Sequence, residues 1–194
     1  MKKNPKLQRP RKTHERRPVI FLAMEGTRTE PQYFDAIHSF GKLKSFHFQP
    51  VQKGGNPDAL LKKIRKMESL MEEHDFAWLV CDRDRESWTE EALNSILEWS
   101  DSDARNGFLF SNPSFELWLL LHFEDWPPRL NQSRIEELLS RRISNYKKQI
   151  PSGTITLQRV KKAIQRAAGH PHRAFQLMNQ SGTTVGEILK EFFD

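Results

Sequence analysis

The sequence predicts an α/β domain built on a mostly parallel sheet, and three observations carry that prediction. Two apolar runs, Val19 to Met24 and Phe76 to Cys81, show no polar alternation, as strands buried on both faces do. Amphipathic helical stretches alternate with strand-like runs between residues 18 and 123. Both runs stop abruptly at acidic residues, Glu25 after the first and Asp82 and Asp84 after the second.

The elements follow in order. Val19 to Met24 is the first strand, ended by Glu25-Gly26; Thr29-Glu30-Pro31 then starts a helix, with Thr29 as its cap and Tyr33, Phe34, Ile37 and Phe40 at helical spacing. Phe46 to Val51 is the second strand. The turn Gly54-Gly55-Asn56-Pro57 leads into a helix carrying Leu60, Leu61, Ile64, Met67, Leu70 and Met71. The third strand ends in Asp82, and Ser87 to Glu90 has capping-box spacing ahead of a helix through Leu93, Ile96 and Leu97. Gly107 to Phe110 is a short fourth strand, broken by Ser111-Asn112-Pro113, and Phe115 to Phe123 is a core helix. Pro127-Pro128 marks a boundary, beyond which helical patterns cover 132–148, 156–168 and 183–193. The expected organisation is therefore an arm at 1–17, an α/β domain at 18–125 and a helical extension at 126–194 packed on it.

Composition narrows the class. A chain of 194 residues can bury a core without disulfides, and Cys81 is the one cysteine, which excludes a disulfide framework and fits a reducing cytoplasm. No apolar run approaches the roughly 20 residues of a membrane span, and the six apolar residues after the basic N-terminus are too few for a signal segment. The net charge of +6 is concentrated: residues 1–17 hold eight Lys and Arg against Glu15, leaving the rest near −1. The arm, basic and without aromatics, reads as disordered and able to touch polyanions through Arg11, Lys12, Arg16 and Arg17, or as a solubilising leader.

The chemistry-bearing constellation is acidic. In an open parallel sheet the ligand crevice lies outside the carboxyl ends of the strands, where Glu25, Asp82 and Asp84 fall. Clustered carboxylates repel and persist with something positive between them; Mg²⁺ or Mn²⁺ is the usual partner of such oxygens. Asp82 and Asp84, two apart in an extended segment, face the same way, with Arg83 directed elsewhere. Gly26 allows close approach of a phosphate. The alternative is that these acids cap the helices that follow.

The order apolar strand, Glu-Gly, then some fifty to sixty residues later apolar strand, Asp-x-Asp resembles the Toprim domain. More narrowly, Met24 to Phe34, Val80 to Asp84 and Ser111 to Phe123 look like the RloB/AbiLii family, the last block being the most specific. The resemblance implies a Toprim-like, Rossmannoid fold and a cytoplasmic nuclease effector of bacterial anti-phage or restriction-associated loci, paired with an AAA/ABC-type ATPase encoded nearby. It also implies Mg²⁺- or Mn²⁺-dependent phosphodiester hydrolysis of DNA or RNA, with Glu25 in acid/base work and Asp82 and Asp84 holding the metal. A non-catalytic interaction or regulatory subunit of the ATPase complex is the competing expectation, since the near-neutral body offers no cationic track for nucleic acid.

Secondary candidates stay open between two readings. Glu116 either caps its helix or reaches the metal site, and Glu86 is either an outer carboxylate or a first-turn residue. Arg28 either holds a phosphate or is a solvated loop residue. Lys53 to Asn56 reads as a plain turn, His122 as structural, Cys81 as a buried strand residue, and Trp88 and Trp126 as possible partner-surface residues.

Overall fold

The computed structural model describes residues 16–83, 88–126, 131–144, 146–170 and 173–193. Among the described residues five strands form one sheet: β1 (Val19–Met24), β2 (His47–Lys53), β3 (Phe76–Asp82), β4 (Asn106–Asn112) and β5 (Gly182–Thr183), in the order β2-β1-β3-β4-β5. The first four run parallel and β5 pairs antiparallel with β4. The helices are α1 (Thr29–Ile37), α2 (Pro57–Glu68), α3 (Glu90–Ser102), α4 (Phe115–Leu120), α5 (Gln132–Arg142), α6 (Leu157–Ala167), α7 (Ala174–Leu177) and α8 (Val185–Phe193).

The unbroken apolar runs are explained by two cores, one on each face. From β1, Ile20, Leu22 and Met24 enter the core under α1, α4, α5, α6 and α8, whereas Val19, Phe21 and Ala23 enter the one under α2, α3 and α7. Trp78 and Val80 of β3 face the first core and Ala77, Leu79 and Cys81 the second, as the period of two requires. β2 is a sheet edge, where Pro50 costs no ladder bond; the register with β1 shifts between Leu22 and Ala23, leaving Val51 as the extra residue. At Gly107 a Cβ would stand 2.6 Å from Cδ1 of Trp78, its register partner, so the indole occupies that space.

Several local expectations change. Thr29 lies inside α1 rather than capping it; Arg28 is the N-cap residue, without a side-chain bond, and the Thr29 hydroxyl is turned into the interior. Thr89 caps α3 through the Ala92 N–H, 3.1 Å away; Ser87 lies outside the described residues. The core helix ends at Leu120 and continues only as turns, and α5 stops at Arg142. Past residue 125 the chain supplies more than helices. β5 extends the sheet, with the Thr184 hydroxyl donating to the Phe108 carbonyl at 2.6 Å and accepting the Phe110 N–H at 2.8 Å. α8 lays Phe192 against Trp78, ring centres 5.3 Å apart, so sheet and extension share one core.

The basic arm is anchored where it meets the body. Asp75, buried, accepts the Val19 N–H at 2.7 Å and the Glu72 N–H at 2.9 Å, and pairs with Arg16. The Arg17 guanidinium donates to the carbonyls of Lys44, Ser45 and Phe46. Arg11 and Lys12 lie outside the described residues.

Candidate functional site

The strand order reverses between β1 and β3: the chain goes from β1 outward to β2, then crosses back to β3 and β4. A doubly wound sheet opens a crevice at that switch point, outside the carboxyl ends of the two strands. Glu25 is the residue after β1 and Asp82 the last of β3. The Glu25 N–H continues the ladder to the Val80 carbonyl at 2.9 Å, and its Oε2 accepts the Asp82 N–H at 3.1 Å. Asp82 Oδ1 accepts the Phe115 N–H at 2.7 Å, which ties the end of β3 to the start of α4.

Two more carboxylates arrive from the helices. Glu116, in the first turn of α4 and 3% exposed, accepts from the Tyr146 hydroxyl at 3.1 Å and the Thr29 hydroxyl at 3.4 Å. Glu30, in the first turn of α1, is 4% exposed. Its carboxylate fills the space above Gly26, where a Cβ would fall 1.8 Å from a carboxylate oxygen. The close approach that Gly26 permits is thus made by Glu30. In the sequence Glu30 reads as an ordinary helix-start residue; the one signal of its role is a glutamate placed to fold back over a glycine.

Electrostatics mark the crowding. Burial and then the charges of Glu116 and Glu25 push the Glu30 carboxyl up to about 7, against relief from its own backbone N–H and from Lys148. Asp82 is held well above the usual carboxylate range by burial and then by Glu30, Glu116 and Glu25; the Phe115 N–H pulls it back in part. Four acids therefore share one crevice with little positive charge between them. Among the described residues no three Asp, Glu, His or Cys side chains stand arranged to hold a metal ion. The carboxylates instead bond to backbone N–H and hydroxyl groups.

Asp84 and Glu86 lie outside the described residues. Arg83 directs its Nε to the Met178 carbonyl at 3.3 Å, away from the crevice. Arg28 is exposed at the head of α1, its carbonyl taken by Gln32. Arg16 and Arg17 precede β1, at the opposite end of the sheet from Glu25; six residues of strand put them about 20 Å from the crevice. The turn after β2 borders the crevice, since the Gly54 N–H donates to the Met24 carbonyl at 2.9 Å, with Gly54 and Gly55 at positive φ and Asn56 capping α2. Trp88 is buried, donating to the Asp82 carbonyl at 2.7 Å, which removes it as a partner surface; Trp126 stacks on His170, ring centres 3.9 Å apart. Cys81 is buried and its thiol raised well above the usual range by burial and the neighbouring acids, so it is no nucleophile.

No curated protein and no solved structure matches this sequence. The model of a family described as RloB-like protein matches residues 20–192, from the first buried strand through α8 and across the boundary expected at 125. With almost every described element inside that match, the chain belongs to the RloB-like protein family.

Proposed function

We propose that the chain is a Mg²⁺- or Mn²⁺-dependent phosphodiester hydrolase of DNA or RNA with a Toprim-like arrangement of acids. The observation that carries this reading is the gathering of Glu25, Asp82, Glu30 and Glu116 at the β1/β3 switch point, where burial and crowding raise the Glu30 and Asp82 carboxyls above their usual range. The donor set fits a hard divalent cation in its chemistry: carboxylate oxygens, no sulfur or nitrogen, and a local excess of negative charge. Glu25 and Asp82 are the residues that would hold it, with Asp84 following and Glu116 beside them. When bound, the ion supplies charge neutralisation at the phosphate and an activated water.

The protein's own groups divide the rest of the work. Tyr146 and Thr29 fix the Glu116 carboxylate by donating to it, and the Phe115 N–H fixes Asp82. Glu25 would, on this reading, either take up and return a proton at its carboxylate or serve as a second ligand, and the Glu30 carboxylate fills the space over Gly26. In this reading the chain is a cytoplasmic nuclease effector of a bacterial anti-phage system, acting with an AAA/ABC-type ATPase encoded nearby. A single cysteine, buried and free, fits a reducing setting.

The alternative, a non-catalytic subunit of that complex, is favoured by the satisfaction of the carboxylates by protein donors. Calorimetric titration with Mn²⁺ separates the two, read together with cleavage of DNA and RNA in the presence of the ion. Saturable binding by the wild type that is lost in Asp82→Asn, with loss of cleavage in the same folded variant, is expected. A folded wild type that takes up no Mn²⁺ at millimolar concentration would overturn the hydrolytic reading in favour of the subunit.

A further inference from the structure

A second polar concavity lies at the other end of α4. A pocket of about 660 Å³ opens between the last turn of α5 and one face of α6, with His122 and Phe123 at its floor. Arg159, Lys162 and Arg166 sit at i, i+3 and i+7 of α6 and share that face; Arg141 and Arg142 close the pocket from α5. Five cationic side chains therefore line it, and no carboxylate among the described residues does.

Two of the guanidinium groups are held in place. Arg159 lies 4.8 Å over the Phe123 ring and donates to the Thr154 carbonyl; Arg166 donates to the Leu121 carbonyl at 2.7 Å. Their acidic neighbours stand outside the pocket. Arg166 pairs with Asp125, whose side chain is 90% exposed, Arg142 with Glu124, and Arg141 with Glu137. Each of these pairs has at least one solvent-exposed partner and is worth little, so these guanidinium groups remain available to a stronger anion. Lys162 makes no ion pair among the described residues.

Fixed guanidinium forks suit phosphate oxygens, and five cations in one concavity exceed what a monoanion neutralises. The volume suits a small ligand. A duplex backbone needs an open cationic track, whereas this pocket has a floor. We propose that the pocket binds a compact soluble oligophosphate, of the kind a nucleoside triphosphate carries. The proposal does not rest on the hydrolytic reading of the carboxylate crevice.

The test is calorimetric titration of the full-length protein with tripolyphosphate, and in parallel with ATP, at physiological salt and with divalent ions chelated. One saturable site is expected. The double variant Arg142→Gln/Lys162→Gln removes two exposed cations from the pocket wall and should weaken binding about a hundredfold, about tenfold for each charge removed. Lys63→Gln/Lys66→Gln removes the same charge from the exposed face of α2 and should leave affinity within about twofold, because charges beyond about a Debye length are screened. Asp82→Asn should bind as the wild type does. Absence of saturable binding at millimolar tripolyphosphate would overturn the proposal. So would equal weakening in the two double variants, which would make the effect one of general charge, or a loss confined to binding of a short DNA duplex.

Discussion

Replacing Glu30 with glutamine removes one of four crowded carboxylates while keeping the side-chain volume over Gly26. The folded-state value of about 7 lies above the ordinary 4.5. Between those limits the folded protein holds a proton that the unfolded chain releases. The contribution to stability is thus complete below about pH 4.5 and is lost as pH rises through 7. The shift corresponds to about 3 kcal/mol once both states are ionised, at 1.36 kcal/mol per pH unit. The Glu30→Gln protein carries none of this dependence, so its advantage over the wild type should grow by about 2 kcal/mol between pH 5 and pH 8. Relief of Asp82, on which Glu30 is the largest charge effect, acts in the same direction. Urea unfolding followed by tryptophan fluorescence, with divalent ions chelated, measures the gap at each pH. A gap that stays flat or narrows with rising pH would refute the crowding argument, whatever its absolute size.

Two other predictions concern the scaffold. Asp75 accepts two backbone N–H groups and pairs with Arg16, and these donors hold it below the usual range against the upward push of burial; Asp75→Ala leaves those N–H groups without their acceptor and should cost about 2–3 kcal/mol by urea denaturation. A loss under about 0.5 kcal/mol would show that the clasp at the start of β1 is dispensable. His122 is buried, and burial depresses its imidazole to about 4. Its contribution is present above pH 6.5 and is lost as pH falls, when the unfolded chain takes up a proton and the fold does not, reaching about 3 kcal/mol near pH 4. His122→Gln should flatten the acid limb of stability between pH 6.5 and 4; an unchanged slope would place the acid sensitivity elsewhere.

The fold is readable where the signal is local and one-dimensional. Two uninterrupted apolar runs of six residues suit strands covered on both sides, and the acids ending them then fall at the carboxyl edge, where the pairing of β1 with β3 brings Glu25 and Asp82 together. Glu30 is not readable in this way. A glutamate in the first turn of a helix is ordinary, and its burial over Gly26 depends on how the loop after β1 folds back. Thr29 misleads for the same reason: it has the chemistry of a cap, and tertiary structure gives its hydroxyl to Glu116 and Tyr146. β5 is two residues long, too short for any periodicity, and is held by its partners Ser111 and Asn112 and by the Thr184 hydroxyl.

Charge is the property that composition conceals most. Residues 18–194 sum to about −1, which argues against a cationic surface on the body. The fold separates what the sum averages: Glu25, Glu30, Asp82 and Glu116 gather at the N-terminal end of α4, and five Arg and Lys side chains surround the turns at its C-terminal end. The seven steps from Glu116 to Phe123 span about 10 Å at helical rise. The i, i+3, i+7 stripe of α6 is visible in the sequence. Its meeting with Arg141 and Arg142 is not, because it requires α5 and α6, each packed on α4, to border one pocket. A near-neutral total is therefore no argument against anion binding once opposite charges occupy opposite ends of one buried helix, about a Debye length apart.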